Sequence, residues 1–253
     1  MSRLCREPLP KCACTPSWGG YYTLAGAQVA LGLGSRIAEL RAQGGRPMIS
    51  YGGQRGPDLA VDCVSPSGPV SAYLAPIRQY GSSAIDLDVE GTALSDTVAG
   101  ARRAAAISTL ERAVPRLAVW LTLPVSSSGL TPAGRTAVRQ MLAAHVQLAG
   151  VNAPEMDFGP GQGAAHSMFS TVRSSLYALH DQVHSLYSAA GVKLGADSVW
   201  HHLGVTVMIA RNDVPGETFT LADARKLTAF VKGKAMPRLS DWSLNRDSAC
   251  GTV

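Results

Sequence analysis

Asp86, Asp88 and Glu90 alternate with Ile85, Leu87 and Val89 along one short stretch of the chain. A period of two suits a β-strand, whose successive side chains face opposite sides, so that Cα atoms on one face recur about every 6.5 Å. A helix would scatter the three acids around its circumference. In a strand the apolar set packs against a layer of helices and the carboxylates share the other face. Three carboxylates so close in a low-dielectric interior cannot all ionise at neutral pH, so at least one is expected to hold a proton. A proton held near neutrality is what a general acid needs. Glu90, outermost and longest, reads as the donor to a leaving-group oxygen. Asp88 behind it reads as the residue that orients a substrate, and Asp86 as the partner that shares charge and proton with Asp88. An acidic strand end also suits magnesium or calcium with oxygen ligands, whereas a purely structural cluster carries the cost of unpaired buried charge. The catalytic acid is the reading adopted.

The elements that must position these acids follow a βα rhythm. Apolar runs at Pro47 to Gly53, Ser83 to Gly91, Arg116 to Val125, Gly150 to Gly159, Leu203 to Asn212 and Arg238 to Leu244 read as strands. Helices are expected at 27–42, 69–80, 94–113, 132–148, 167–189 and 220–234, the last with Thr220 as its N-cap. Leu117-Ala118-Val119-Trp120-Leu121-Thr122-Leu123 is apolar almost throughout, as a parallel strand buried on both faces requires. An open sheet and a closed barrel both fit this rhythm. Asp88, Glu90, Asp157, Asn212 and Trp242 fall at or near strand C-terminal ends, the face on which (β/α)8 barrels carry their chemistry, and this favours the barrel.

At 253 residues, one large α/β domain is the expectation. No apolar run is long enough to span a bilayer, and no membrane partner is expected. The net charge of +5 is carried by scattered arginines without a basic block or interleaved aromatics, so no nucleic-acid partner is expected. Cys5, Cys12, Cys14, Cys63 and Cys250 lack the paired spacing of a structural zinc site. His201-His202 reads as a loop or helix end, and no metal site or cofactor is expected. The N-terminus is basic without the apolar stretch of a secretory signal, which leaves localisation open.

The strand Ile85-Asp86-Leu87-Asp88-Val89-Glu90-Gly91 resembles the DxxDxDxE signature of glycoside hydrolase family 18, the chitinases and related endo-N-acetylglucosaminidases. Three further segments are similar to that family in the same order. Ser50-Tyr51-Gly52-Gly53 resembles its SxGG motif, and Val151-Asn152 with Met156-Asp157-Phe158-Gly159 resembles its sixth strand. The last, Leu239-Ser240-Asp241-Trp242-Ser243-Leu244-Asn245-Arg246-Asp247, resembles the end of its eighth. The resemblance implies a cofactor-free hydrolase of β-1,4 bonds in chitin or N-acetylglucosamine oligosaccharides. Glu90 would be the acid/base and the substrate's own 2-acetamido oxygen the nucleophile, an exception to the two-carboxylate scheme. It implies that Asp88 holds the acetamido N–H, Asp86 supports Asp88, Asp157 and Met156 line the sugar site, and Trp242 stacks on the sugar. It also implies that Ser50, Gly52 and Gly53 shape the site and that Cys14 and Cys63 form a disulfide.

The sequence departs from the family at Ser83 and Ala84, where the pattern has aspartate and glycine, and at Met156, where many members carry tyrosine. The resemblance runs from Cys14 to Cys250 as one catalytic barrel, with residues 1–13 unassigned. Strands three to eight are accounted for, so the expectation is an incomplete barrel with about six of eight strands, truncated at its start and after its last strand. A non-catalytic chitinase-like or chitin-binding protein, a degenerate fragment, and a metal-dependent hydrolase are the alternatives.

Overall fold

The computed structural model describes residues 14–54, 56, 58–65, 67–159 and 167–247. Cys5, Cys12, Cys250 and the unassigned segment 1–13 lie outside the described residues. Six strands form one sheet in chain order: β1 Ile49–Gly52, β2 Ala84–Asp88, β3 Ala118–Thr122, β4 Leu148–Glu155, β5 Leu203–Met208 and β6 Arg238–Trp242. The pairs β1–β2, β4–β5 and β5–β6 run parallel. Five longer helices alternate with them: α1 Gly68–Tyr80, α2 Thr97–Ala113, α3 Pro132–Ala143, α4 Met168–Ala189 and α5 Leu221–Gly233. Five of these strands fall inside the segments expected from their apolar runs; β4 begins at Leu148, two residues before the expected Gly150, inside the stretch expected as helix. β3 and β5 are buried along most of their length, as strands covered on both faces must be.

The departures are at element ends. The acid strand stops at Asp88 because Gly91, at φ +54°, turns the chain out of the strand direction. Glu90 keeps extended backbone and becomes the N-cap of a short helix, Gly91–Ser95. β4 stops at Glu155 ahead of Asp157 at φ +52°, and β5 at Met208 ahead of Ala210 at φ +61°. The helix expected over 27–42 is two, Leu24–Ala30 and Leu33–Ala42, broken where Gly32 takes φ +58°.

The chain forms two compact units, one built from residues up to Leu121 with Thr136–Ala149, the other from Thr122–Arg135 with the chain from Gly150 onward. In the first, Ile85, Leu87 and Val89 of the acid strand are buried, as are Ala72 and Ile77 of α1 and Ala104 and Ile107 of α2. Tyr51 meets Tyr73 edge to face at 5.0 Å, and its hydroxyl donates to the Tyr73 carbonyl at 2.6 Å. Arg103 of α2 is buried against Asp58, Nη2 to Oδ2 at 2.9 Å, and Asp58 Oδ1 accepts the Ala60 N–H at 2.7 Å. Cys14 and Cys63 are disulfide-bonded.

In the second unit, α4 buries Met168, Val172, Leu176, Leu179, Val183 and Leu186, the three- and four-residue spacing of an amphipathic helix. α5 opens with a full capping box between Thr220 and Asp223. Burial pushes the Asp223 carboxyl up. The Thr220 hydroxyl and the backbone N–H groups of Thr220 and Phe169 outweigh it and hold the group below its usual value.

Candidate active site

In the first unit the register pairs Ser50 with Asp86 and Gly52 with Asp88. Side chains paired in this way share a face, and the Ser50 hydroxyl donates to Asp86 Oδ2 at 3.0 Å. One level along the strands, Gly53 N–H donates to the Asp88 carbonyl at 2.8 Å. Gly52 at φ +98° and Gly53 at φ +91° lie in the left-handed region open to glycine. A Cβ on Gly52 would meet the Asp88 carbonyl oxygen at 2.2 Å, and one on Gly53 would lie 3.5 Å from Asp88 Oδ2. Gly52 therefore lets its backbone lie directly against the acid strand where a side chain would force it away. At Gly53 the added carbon would make only an ordinary contact, and the positive φ alone favours glycine.

Exposure rises along the acid face. Asp86 is 4% exposed, whereas Asp88 and Glu90 are half-buried. Among the carboxylates, the one bonded by Ser50 is the innermost, and Glu90 stands last, beyond the strand end, on extended backbone. Ser50, Gly52, Gly53, Asp86, Asp88 and Glu90 are brought together by β1, β2 and the turns that follow them. Among the described residues no group of three or more histidine, cysteine, aspartate or glutamate side chains is arranged to hold a metal ion. No helix among them is long and apolar enough to cross a membrane.

The second unit holds Met156, Asp157 and Trp242. Asn152, buried on β4, donates through Nδ2 to Thr122 Oγ1 at 3.1 Å and to Thr206 Oγ1 at 2.9 Å. Met156 is half-buried and Asp157 exposed in the turn after β4. Asp157 Oδ1 accepts the Val214 N–H at 3.0 Å. Trp242, last residue of β6 and paired with Met208, is 58% exposed. Asn212 is buried and donates to the Met208 carbonyl at 2.9 Å, which shapes the turn that ends β5.

Two acids in this unit escaped the sequence reading. Glu217 accepts the N–H groups of Phe158 and Gly159, and its partners lie nearly sixty residues back in the chain. Glu155 is fully buried, and neither carboxyl oxygen has a hydrogen-bond partner among the described residues. Burial raises its pKa well above the usual carboxylate range, and the nearby Ser175 hydroxyl offsets this only in part. The signal available for Glu155 was its parity. It shares a face with Val151 and Ala153, opposite to Asn152, and so belongs to the apolar side of β4.

Among curated proteins, the chain is 31% identical over 254 residues to a probable bifunctional chitinase/lysozyme of Escherichia coli (strain K12), covering 94% of this chain and 27% of that protein. It is 30% identical over 227 residues to endochitinase 11 of Metarhizium anisopliae, covering 84% of this chain and 42% of that one. The chain thus spans about a quarter of one relative's length and about two fifths of the other's. No family model matches it. Among solved structures, the catalytic domain of the hyperthermophilic chitinase from Pyrococcus furiosus superposes with a TM-score of 0.79 at 24% identity, over 92% of this chain and 71% of that one. A GH18 chitinase from Pseudoalteromonas aurantia follows at a TM-score of 0.58 and 12% identity, over 93% of this chain and 80% of that one. The six-stranded parallel α/β fold is accordingly that of an incomplete (β/α)8 barrel. Fold, motif order and relatives converge, and together they support a chitinase-like family within glycoside hydrolase family 18 for this chain.

Proposed function

We propose that the chain, acting as one catalytic domain, is a chitinase-type glycosidase that cleaves β-1,4 bonds between N-acetylglucosamine units with retention at the anomeric carbon. Glu90 donates a proton to the leaving-group oxygen as the glycosidic bond breaks. The carbonyl oxygen of the substrate's 2-acetamido group attacks the anomeric carbon, giving an oxazolinium ion. Asp88 takes the acetamido N–H and so stabilises the charge that develops on nitrogen, and Asp86 shares charge and proton with Asp88. Water then attacks the anomeric carbon, gives its proton to Glu90 and releases the sugar. Asp157, Met156 and Trp242 are the sugar-contacting residues of this reading, Trp242 through its exposed ring face.

The observation that supports it best is the bracing of the acid strand. Ser50 Oγ holds Asp86, Gly53 N–H holds the Asp88 backbone, and Asp88 and Glu90 are half-buried where Asp86 is buried. Glu90 follows this braced row on extended backbone, which supports its reading as the proton donor. The test compares wild type with Glu90→Gln on a chromogenic chitobiose or chitotriose substrate, with and without EDTA. Turnover by wild type, a loss of two to four orders of magnitude in the variant, roughly the range for a positioned general acid, and indifference to EDTA are expected. No turnover by wild type, or near-normal activity in Glu90→Gln, would refute the reading. Loss with EDTA would shift it to a metal-dependent hydrolase.

A further inference from the structure

Asp157 stands at φ +52°, a conformation open to aspartate but not favoured by it. The next two backbone N–H groups turn toward one carboxylate. Phe158 N–H donates to Glu217 Oε2 at 3.1 Å and Gly159 N–H to Glu217 Oε1 at 3.0 Å. Consecutive N–H groups directed at one point form a concavity suited to an anion, and the chain fills this one itself with a side chain that is 1% exposed. A third bond runs the other way, from Val214 N–H to Asp157 Oδ1 at 3.0 Å. The turn 157–159 and the segment 214–217 thus hold each other through carboxylates on both sides, while Asp157 itself stays exposed.

We propose that Glu217 is a positioning residue for Asp157. By fixing the two N–H groups that follow, it sets the backbone turn and thus the direction of the Asp157 carboxylate toward a bound sugar. This rests on the reading of Asp157 as a sugar contact. A buried loop tie with no bearing on the substrate would affect stability alone, whereas a positioning residue acts through Asp157 and loses its effect on the substrate once Asp157 is gone.

The test is a double-mutant cycle on chitotriose hydrolysis, joined to amide hydrogen exchange. Glu217→Gln places an NH2 group against one of the two backbone N–H groups. It is expected to raise KM about tenfold or more, the fold-change that goes with losing a charge-assisted hydrogen bond, with kcat nearly unchanged. In an Asp157→Ala background the same substitution should change KM less than about twofold. Exchange at Phe158 and Gly159 should quicken in Glu217→Gln and stay slow in Asp157→Ala. KM effects that simply multiply, or exchange that does not respond to Glu217→Gln, overturn the proposal. A wild type that does not cleave the substrate sinks the functional reading instead, and exchange at the two amides then decides the positioning claim. Should Glu217→Gln not fold, Glu217→Asp, its carboxylate withdrawn by one methylene, carries the same comparisons.

Discussion

Gly52 lies so close to Asp88 that a single added carbon on the glycine would stand 2.2 Å from the aspartate's carbonyl oxygen. That oxygen also accepts the Gly53 N–H at 2.8 Å, so the contact cannot open without losing a bond to the acid strand.

Gly52→Ala is therefore expected to carry both backbone strain and a clash. Together these should cost at least about 2 kcal/mol of stability. Gly191→Ala, also at positive φ but with open space around the added carbon, isolates the strain and should cost about 1 kcal/mol. Urea unfolding of both variants checks the difference, and chitotriose turnover of whatever Gly52→Ala protein folds should be reduced along with it. Equal losses in the two variants would mean that the turn beside Asp88 relaxes freely.

Glu155 makes stability depend on pH in a direction opposite to that of a salt-bridged carboxylate. Its carboxyl stays protonated in the folded chain to a higher pH than in the unfolded chain, where glutamate ionises from about 4.3. Above that value the unfolded state releases the proton first. Stability then falls by up to about 1.4 kcal/mol per pH unit until the folded carboxyl ionises as well. Glu155→Gln removes the titration while keeping the shape. Urea midpoints for the variant and wild type should coincide near pH 4 and diverge toward pH 8, with the variant more stable. Parallel curves would show that Glu155 is not neutral in the folded chain.

Arg103 and Asp58 form an ion pair buried on both sides. Arg103→Leu leaves the Asp58 carboxylate buried without its counter-charge and should cost about 3–5 kcal/mol. Adding Asp58→Asn removes that charge while keeping an oxygen for the Ala60 N–H, and should recover a substantial part of the loss. Thermal unfolding of the single and double variants is the measurement. A double variant no better than the single one would assign the cost to lost packing of the arginine stem.

Much of the fold was legible because apolar runs and helical spacing are local signals. Five of the six strands lie inside the segments read from Pro47 onward, the sixth starts two residues early at Leu148, and Thr220 caps its helix as expected. The ends were not legible, since Gly91, Asp157 and Ala210 stop their strands through left-handed backbone that no apolar pattern announces. The acid row could be read from alternation, whereas the bond from Ser50 to Asp86 needed the register of two strands thirty-six residues apart. Glu217 lies in a polar turn without periodicity, and its importance is visible only when Phe158 and Gly159 are seen beside it.

The clamp between Glu217 and the two amides has a bearing on how this scaffold tolerates exchange of parts. A loop graft that replaces 157–159 alone would leave a buried carboxylate without donors, and one that replaces 214–217 alone would leave two N–H groups without an acceptor. The two segments form a single module, and recombination among relatives should preserve them only when both come from the same parent.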